Sequence, residues 1–401
     1  MTNNYIEELL KKPSLFIDES KLDMNFVPDR LPHREKELSL LSQLFLILIT
    51  NPNSISRNIL ITGKTGVGKT ATVKLFGEML TKTAKKRDVS IKCIHINCRK
   101  ERTSYKVLIK IIRVLNKNFP KRGFSPQDLI EIIIDFLNNQ NLHLLLVLDE
   151  LSYLINKSGD LIYSLTRIND DSVNTSQRIS IIGIVREISC LNDLDASTLS
   201  TLQKNIIKFN DYSLEQVFDI LKFRAEISLK KNVVSDEIIE TISQIVLKNG
   251  DIRYGLNLLW RACKIAESKN LKFVAIEFVR LGNQELIPFS TQDVLKYMTT
   301  QKLLFLLAIV KTLNKKKEPQ TSIFEVLKLY RVMCETIGLK PRSYSQLWNY
   351  IQEYKRDNLI SIKVTSEASR GRKSLIAIYD IPLSKFEKNI IDLLNLKGIN
   401  I

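Results

Sequence analysis

The segment Gly63-Lys64-Thr65-Gly66-Val67-Gly68-Lys69-Thr70 constrains this chain more tightly than any other stretch of its length. It follows the apolar run Arg57–Thr62 and precedes Ala71–Thr81, which reads as a helix. Strand, glycine loop and helix, in that order, is the setting in which G-x-x-x-x-G-K-[ST] binds phosphate. Glycines let successive backbone N–H groups turn toward one anion, and the helix N-terminus adds positive potential. In that chemistry Lys69 reaches the β- and γ-phosphates and Thr70 holds Mg²⁺.

A second signal lies downstream. Leu142–Leu148 (L-H-L-L-L-V-L) ends in Asp149-Glu150. A short, almost wholly apolar run reads as a buried parallel strand, and carboxylates at its C-terminal end lie where open α/β sheets bind ligands. Asp149 there holds Mg²⁺ through water, and Glu150 orients or deprotonates the attacking water. A glycine-rich turn or an acid-tipped strand has a bland reading on its own. Together the two point to ATP or ADP with Mg²⁺. Val89–Asn97 and Ile179–Val185 supply further strands, and Tyr105–Asn116, Ser125–Asn139 and Asp160–Asn169 read as helices. The expectation is an α/β domain with a parallel sheet over residues 1–206.

From Ile207 the β-rich runs stop. Ser213–Ser228, Asp236–Val246, Arg253–Ser268 and Phe273–Gly282 carry helical periodicity, and Ser213 with Gln216 has capping-box spacing. A small helical domain over 207–285 follows. Arg253, near a helix start, reads on its own as a solvated residue or an intrahelical ion pair.

Residues 290–401 change character again. Helices are expected over Gln301–Leu313, Thr321–Ile337 and Ser343–Asp357, the second with Ile323, Val326, Leu327, Tyr330 and Val332 on its apolar face. Leu359–Val364 and Ser374–Asp380 alternate as strands around a loop, Thr365–Lys373. Three helices and a ribbon describe a winged helix-turn-helix. The third helix would offer Arg342, Tyr344, Gln346, Asn349 and Lys355 to a major groove. Arg370, Arg372 and Lys373, around a flexible Gly371, would suit phosphate or minor-groove contacts. The other reading is a winged helix that binds protein, its basic tip idle.

Charge bears on that choice. Lys plus Arg number 60 against 43 Asp plus Glu, a net charge of +17, which favours a polyanionic partner. No stretch approaches the ~20 apolar residues of a membrane span, and the polar N-terminus carries no secretory pattern. The five scattered cysteines form no C-x-x-C pair, so a zinc site is not expected and ordinary core positions are. A cytoplasmic, nucleoid-associated protein without membrane contact fits these observations.

Together these residues resemble the archaeal origin-recognition and helicase-loading initiators, a family of AAA+ ATPases, over nearly the whole chain. The likeness begins at Phe16–Leu22, Val27-Pro28 and Leu31–Glu35, and continues through Ile96-Asn97-Cys98-Arg99 and Asp160–Asn169. In the family this leader packs on the adenine ring, which implies that Val27, Pro28, His33 and Arg34 border the base. A helical insertion that can touch DNA is implied between Arg99 and Arg122. Gly250–Leu256 resembles the family's sensor-2 motif, so the resemblance places Arg253 on the γ-phosphate, reaching from the lid. The implied architecture is an AAA+ P-loop NTPase domain (1–206), a helical lid (207–285) and a C-terminal winged helix-turn-helix (290–401).

Two positions depart from the family pattern. The sensor-1 strand ends Gly183-Ile184-Val185-Arg186, with Arg186 where the family's water-positioning asparagine stands. The family's Leu-Asp-Pro-Arg stretch is Leu194-Asp195-Ala196-Ser197, with Ser197 in place of the finger arginine. Losing such groups slows phosphoryl transfer, so nucleotide binding with weak hydrolysis is expected. Arg186 has three readings: a replacement cation near the γ-phosphate, a partner of Glu187, or a solvated residue.

The resemblance implies ATP-dependent binding of duplex origin DNA, contact with other initiator paralogues on that DNA, and recruitment of the replicative helicase. An origin-binding repressor without helicase loading, and a signalling NTPase whose winged helix binds protein, are the competing readings.

Overall fold

A computed structural model describes residues 13–120, 122–167, 177–191, 194, 196–203, 205–249, 251–285, 289–316, 320–357, 359–367, 371–378 and 383–399. The chain divides into two compact units at Val279/Arg280.

The first unit is built on five parallel strands: β1 (Asn58–Thr62), β2 (Ile91–Asn97), β3 (His143–Asp149), β4 (Ile179–Ile184) and β5 (Ile206–Lys208). Their order is β2-β3-β4-β1-β5. Alternate residues along each strand feed opposite faces of the sheet. Leu60, Leu144, Leu146 and Leu148 join one core with Val107, Leu129 and Leu154. Ile59, Ile61, Leu145 and Val147 join the other with Phe45, Val73 and Phe76. Both faces are therefore covered by helices, and every residue of β3 is buried. The helices are α1 (Glu35–Phe45), α2 (Lys69–Lys85), α3 (Ser104–Leu115), α4 (Pro126–Asn139), α5 (Ser152–Arg167) and α6 (Ala196–Gln203).

Two readings of this region change. The sheet runs past residue 206, because β5 pairs with β1 from Leu60↔Ile206 to Thr62↔Lys208. Three residues, only Ile207 of them buried, are too few to show a periodicity. The helix read from Asp160 starts at Ser152, and residues 168–169 lie outside the described part.

The remaining helices of this unit are α7 (Leu214–Ser228), α8 (Asp236–Asn249), α9 (Ile252–Ser268) and α10 (Ile276–Glu285), which crosses the division. Ser213 and Gln216 form the expected capping box. The last helix begins later than Phe273. The Val274 N–H is taken by the Val233 carbonyl, and Phe273 stands 55% exposed ahead of the helix.

The second unit packs around α12 (Thr300–Lys316), whose residues Leu303 to Val310 are fully buried. With it are α11 (Phe289–Lys296), α13 (Ile323–Thr336), α14 (Tyr344–Arg356), α15 (Leu383–Asn395) and a sheet ordered β6-β8-β7. The strands are β6 (Gln320–Ser322), β7 (Ser361–Glu367) and β8 (Gly371–Ala377). Helices α11 and α15 were not anticipated, although Phe386, Ile390 and Leu394 of α15 recur at helical spacing and form its buried face. The helix expected from Thr321 yields its first residues to β6, which pairs with β8. Val332 is 56% exposed, and Met333 and Cys334 take its expected place in the core. Nine residues beyond Ile323, Val332 falls half a turn off the apolar face.

The wing also differs from expectation. Ser366↔Arg372 and Thr365↔Lys373 are paired positions, and Gly371 opposes Glu367. Gly371, Arg372 and Lys373 therefore belong to a strand rather than a flexible tip. Ladder hydrogen bonds use backbone groups, so a charged ribbon extends beyond its apolar alternation. Arg370 lies outside the described residues. Among the described residues no helix is long and apolar enough to cross a membrane.

Candidate functional site

The strand order brings the C-terminal ends of β1, β4 and β3 side by side. The glycine loop leaves β1, Arg186 follows β4, and Asp149-Glu150 end β3. Ligands bind at such carboxyl edges in open α/β sheets.

The loop is shaped as an anion cradle. Gly66 and Gly68 have φ values of 83° and 87°, which side chains rarely tolerate. A Cβ on Gly66 would meet Asp251 Oδ1 at 2.5 Å, and one on Gly68 would meet Tyr212 Oη at 2.6 Å. The backbone N–H groups of Lys64, Thr65, Gly66, Val67 and Gly68 find no acceptor among the described residues. Unpaired N–H groups at the start of α2 suit the phosphates of a nucleotide. Lys64 itself points away, to Asp211 at 2.5 Å.

Lys69 Nζ donates to the Gly63 and Lys64 carbonyls, both at 2.6 Å. Burial pushes its pKa down to about 8, against the pull of Asp149. Thr70 Oγ1 donates to Asp149 Oδ2 at 2.8 Å, so the two candidate Mg²⁺ residues are in contact. His95 Nε2 lies 3.0 Å from the same oxygen, and the Glu150 N–H donates to Oδ1 at 2.9 Å. Asp149 is 5% exposed. Burial works against its charge, but His95, Thr70 and the Glu150 N–H outweigh it and hold the carboxyl below its usual range. An ionised carboxylate touching a hydroxyl, at the edge of a phosphate cradle, is a donor set suited to Mg²⁺.

Glu150 sits in the left-handed region, with φ 53°. Its Oε1 lies 3.8 Å from Arg99 Nη1 and 3.7 Å from Arg186 Nη2. Arg186 thus faces the site, and its charge contributes to the lowering at Lys69. Arg253 binds Asp251, with Nη2 to Oδ2 at 2.7 Å and Nε to Oδ1 at 3.0 Å. An ion pair is thus present, but it joins the N-cap to the first turn rather than two residues within the helix. Asp251 is the N-cap of α9 and packs on Gly66, which sets Arg253 at the loop; its charge too acts on Lys69.

The leader is attached at several points, beginning with Ser14 and the Leu15 N–H on Glu267 of α9 and the Ile17 N–H on the Ser228 carbonyl of α7. Arg224 of α7 is 6% exposed and donates to the carbonyls of Lys21 and Asp23 at 2.8 Å and of Phe26 at 3.4 Å. Glu19 binds Trp260 and Lys264 of α9, each at 2.7 Å. Val27 follows half-buried and Pro28 buried. His33, itself at φ 64°, donates to Asp219 of α7 at 2.8 Å. Arg34 is 4% exposed and spends all five N–H groups within the protein. They go to the Val67 carbonyl at 2.8 and 3.0 Å, to Asn210 O at 3.1 Å, to His33 O at 3.3 Å and to Glu37 at 3.0 Å. Its guanidinium lies 4.0 Å from the Tyr212 ring centroid. Arg34 is therefore a strut under the glycine loop, with no N–H left for a base.

Sequence reasoning did not single out His95, Asp251, Arg224 or Tyr212. Each acts through a partner distant in sequence or through a cap. Only the β2–β3 register, His95↔Val147 and Asn97↔Asp149, brings His95 to the Asp149 carboxylate.

In the second unit, Leu347, Ile351 and Tyr354 bury one face of α14. Arg342, Tyr344, Gln346, Asn349 and Lys355 are all exposed, with Tyr344 at 61%. The Arg342 N–H is anchored on Tyr330 Oη at 3.2 Å. The structure thus offers these five residues to solvent on one helix and its entry. The side chains of Arg372 and Lys373 lie outside the described part.

Comparison with known proteins marks out three segments. Residues 54–187 match the AAA domain family, 218–284 the Cdc6 AAA+ ATPase-type lid domain, and 293–384 the CDC6 C terminal winged helix domain. The chain is 33% identical over 396 residues to ORC1-type DNA replication protein 2 of Sulfurisphaera tokodaii, covering 96% of this chain and 94% of that one. It is also 33% identical to the protein of the same name from Sulfolobus acidocaldarius, over 97% and 96% of the two chains. Among solved structures, the Aeropyrum pernix ORC1 protein in complex with DNA aligns with a TM-score of 0.81 and 26% identity, over 94% of this chain and 97% of that one. The chain belongs to the archaeal ORC1/Cdc6-type family of replication-initiator AAA+ ATPases, with a P-loop domain, helical lid and winged helix in that order.

Proposed function

We propose that this protein is an ATP-switched initiator that binds duplex DNA at replication origins. The observation that carries the reading is whole-chain similarity to an ORC1 protein in complex with DNA, joined to an exposed polar face on α14. Gly63, Lys64, Thr65, Gly66, Val67, Gly68 and Lys69 would cradle the phosphates of ATP or ADP. Thr70 and Asp149 would hold Mg²⁺, which would neutralise charge on the β- and γ-phosphates. Glu150 would serve as base, and Arg253 would carry the nucleotide state to the lid. Val27, Pro28 and His33 would border the base, with Arg34 supporting the loop.

On DNA, Tyr344, Gln346 and Asn349 would read base edges. Arg342, Arg370, Arg372 and Lys373 would contact phosphates. Other initiator paralogues and the replicative helicase are the proposed protein partners, and the nucleoid the proposed location. The Arg186 and Ser197 positions support slow turnover. They also favour a second reading, an origin-bound regulator that does not load helicase.

The test is footprinting on the organism's own origins and on matched random duplexes at a fixed ~0.15 M salt. The wild type is compared with Tyr344→Ala plus Asn349→Ala and with Arg370→Ala plus Arg372→Ala. Discrete protection lost in these variants supports the proposal. Equal, weak binding to all duplexes, unchanged by either pair, moves the winged helix to protein contact.

A further inference from the structure

We propose that Arg186 is a positioning residue which, with Arg99, draws the Glu150 carboxylate sideways and brakes hydrolysis of bound ATP. The inference rests on the proposed nucleotide site and names a control on it.

Three observations carry it. First, Glu150 Oε1 faces two guanidiniums, at 3.8 Å from Arg99 and 3.7 Å from Arg186. Second, Arg99 is held firmly and the stretch carrying Arg186 is anchored. Arg99 is 3% exposed, with its guanidinium 5.2 Å from the Tyr153 ring centroid. The Arg186 carbonyl accepts from the Gly63 N–H at 3.2 Å and from Thr62 Oγ1 at 3.4 Å, while its side chain, 36% exposed, reaches Glu150. Third, β4 lies between β1 and β3, so a long side chain directly after β4 reaches across the site from the loop toward Glu150.

The chemistry follows from what a base must do. Glu150 takes a proton from water as the water oxygen bonds to the γ-phosphorus. The bond to the bridging oxygen breaks, and ADP leaves with that electron pair. A carboxylate serves in this way when an oxygen lone pair faces the water, and one drawn toward neighbouring guanidiniums presents that lone pair to them instead. A guanidinium is permanently charged and presents a planar fork to carboxylates, so it holds Glu150 aside where an asparagine amide would not. An event that moves β4 relative to β3, or offers Arg186 another anion, would free Glu150.

The experiment compares wild type with Arg186→Asn, Arg186→Lys, Glu150→Gln and the Arg186→Asn/Glu150→Gln double variant. Turnover is followed with labelled ATP over hours, and binding with a non-hydrolysable ATP analogue. Arg186→Asn is expected to raise kcat about tenfold, a modest part of what general-base catalysis provides, with KM and analogue affinity within about twofold. Arg186→Lys should lie between the two, and the gain should vanish in the Glu150→Gln background. Melting of the nucleotide-free proteins reads the pair directly: the two single shifts should be non-additive by about 1–2 °C. Lower or unchanged turnover in Arg186→Asn overturns the brake, as does a gain that survives Glu150→Gln. Absent turnover in every protein overturns it equally. Failure of the wild type to bind the analogue at all overturns instead the nucleotide site on which it stands.

Discussion

Replacing Arg34 by Met keeps the alkyl stem and removes the guanidinium. The structure makes the cost calculable. Arg34 is 4% exposed and is the donor to the Val67 and Asn210 carbonyls. Leaving a buried acceptor without its donor costs about 1–3 kcal/mol. Glu37, whose side chain is 16% exposed, loses its cation, and stacking on Tyr212 is lost as well. Breaking a buried pair costs about 3–5 kcal/mol, and we take that as the whole effect because the terms overlap. The assay is urea unfolding of nucleotide-free protein in a Trp348→Phe background. There Trp260, on α9 and bonded to Glu19 of the leader, reports on the first unit. The midpoint should fall by about 1–2 M, with Arg34→Lys falling less because its ammonium carries only three donors. If instead the midpoint holds while ADP affinity drops, Arg34 contacts the nucleotide, as the family resemblance implies, and the strut argument is wrong.

Three further outcomes are expected. His143 is 1% exposed beside Ser180, and burial pushes its pKa down to about 4. The unfolded chain therefore binds that proton first, near the ordinary pKa of ~6.5, so stability is present at neutral pH and lost as pH falls toward 4. Unfolding free energy should drop by about 2–3 kcal/mol between pH 7.5 and 4.5, and His143→Leu should flatten this slope in urea melts. Gly66→Ala places a Cβ 2.5 Å from Asp251 Oδ1 at a left-handed φ, and should weaken ADP binding by more than about tenfold in a filter assay. On DNA, Tyr344→Ala plus Asn349→Ala should cost about 1–3 kcal/mol per lost base contact and narrow the gap between origin and random duplex. Arg372→Ala should weaken both duplexes alike and lower the salt slope by about one.

What was legible in this sequence is what acts through its own backbone. The glycine loop is such a case: its N–H groups and its left-handed φ values belong to consecutive residues, so the motif carries its geometry with it. The run L-H-L-L-L-V-L is another, because burial on both faces removes the alternation an exposed strand would show. The wing was read too short and too loose for the converse reason. Pairing such as Ser366↔Arg372 depends on a neighbouring strand, and the side chains there follow no apolar pattern.

The site residues divide along the same line. Thr70 and Asp149 were found because each sits in a motif, although they stand 79 positions apart and meet at 2.8 Å. His95 has no motif, and its place beside Asp149 comes from strand register alone. Arg34 was singled out as bordering the base, and the structure adds its contact with the glycine loop. The resemblance set it near the nucleotide, but its buried charge has to satisfy five donors first, and the loop's own carbonyl is the nearest acceptor. The leader follows the same physics. Arg224 buries a cation in α7 and meets that cost by binding the carbonyls of Lys21, Asp23 and Phe26. Residues 14–26 thereby hang on the lid, while Arg34 ties the end of the leader to the loop. A nucleotide seated between Val27 and the glycine loop would then be gripped by both, and a change in lid position would reach the base through the leader as well as the phosphates through Arg253.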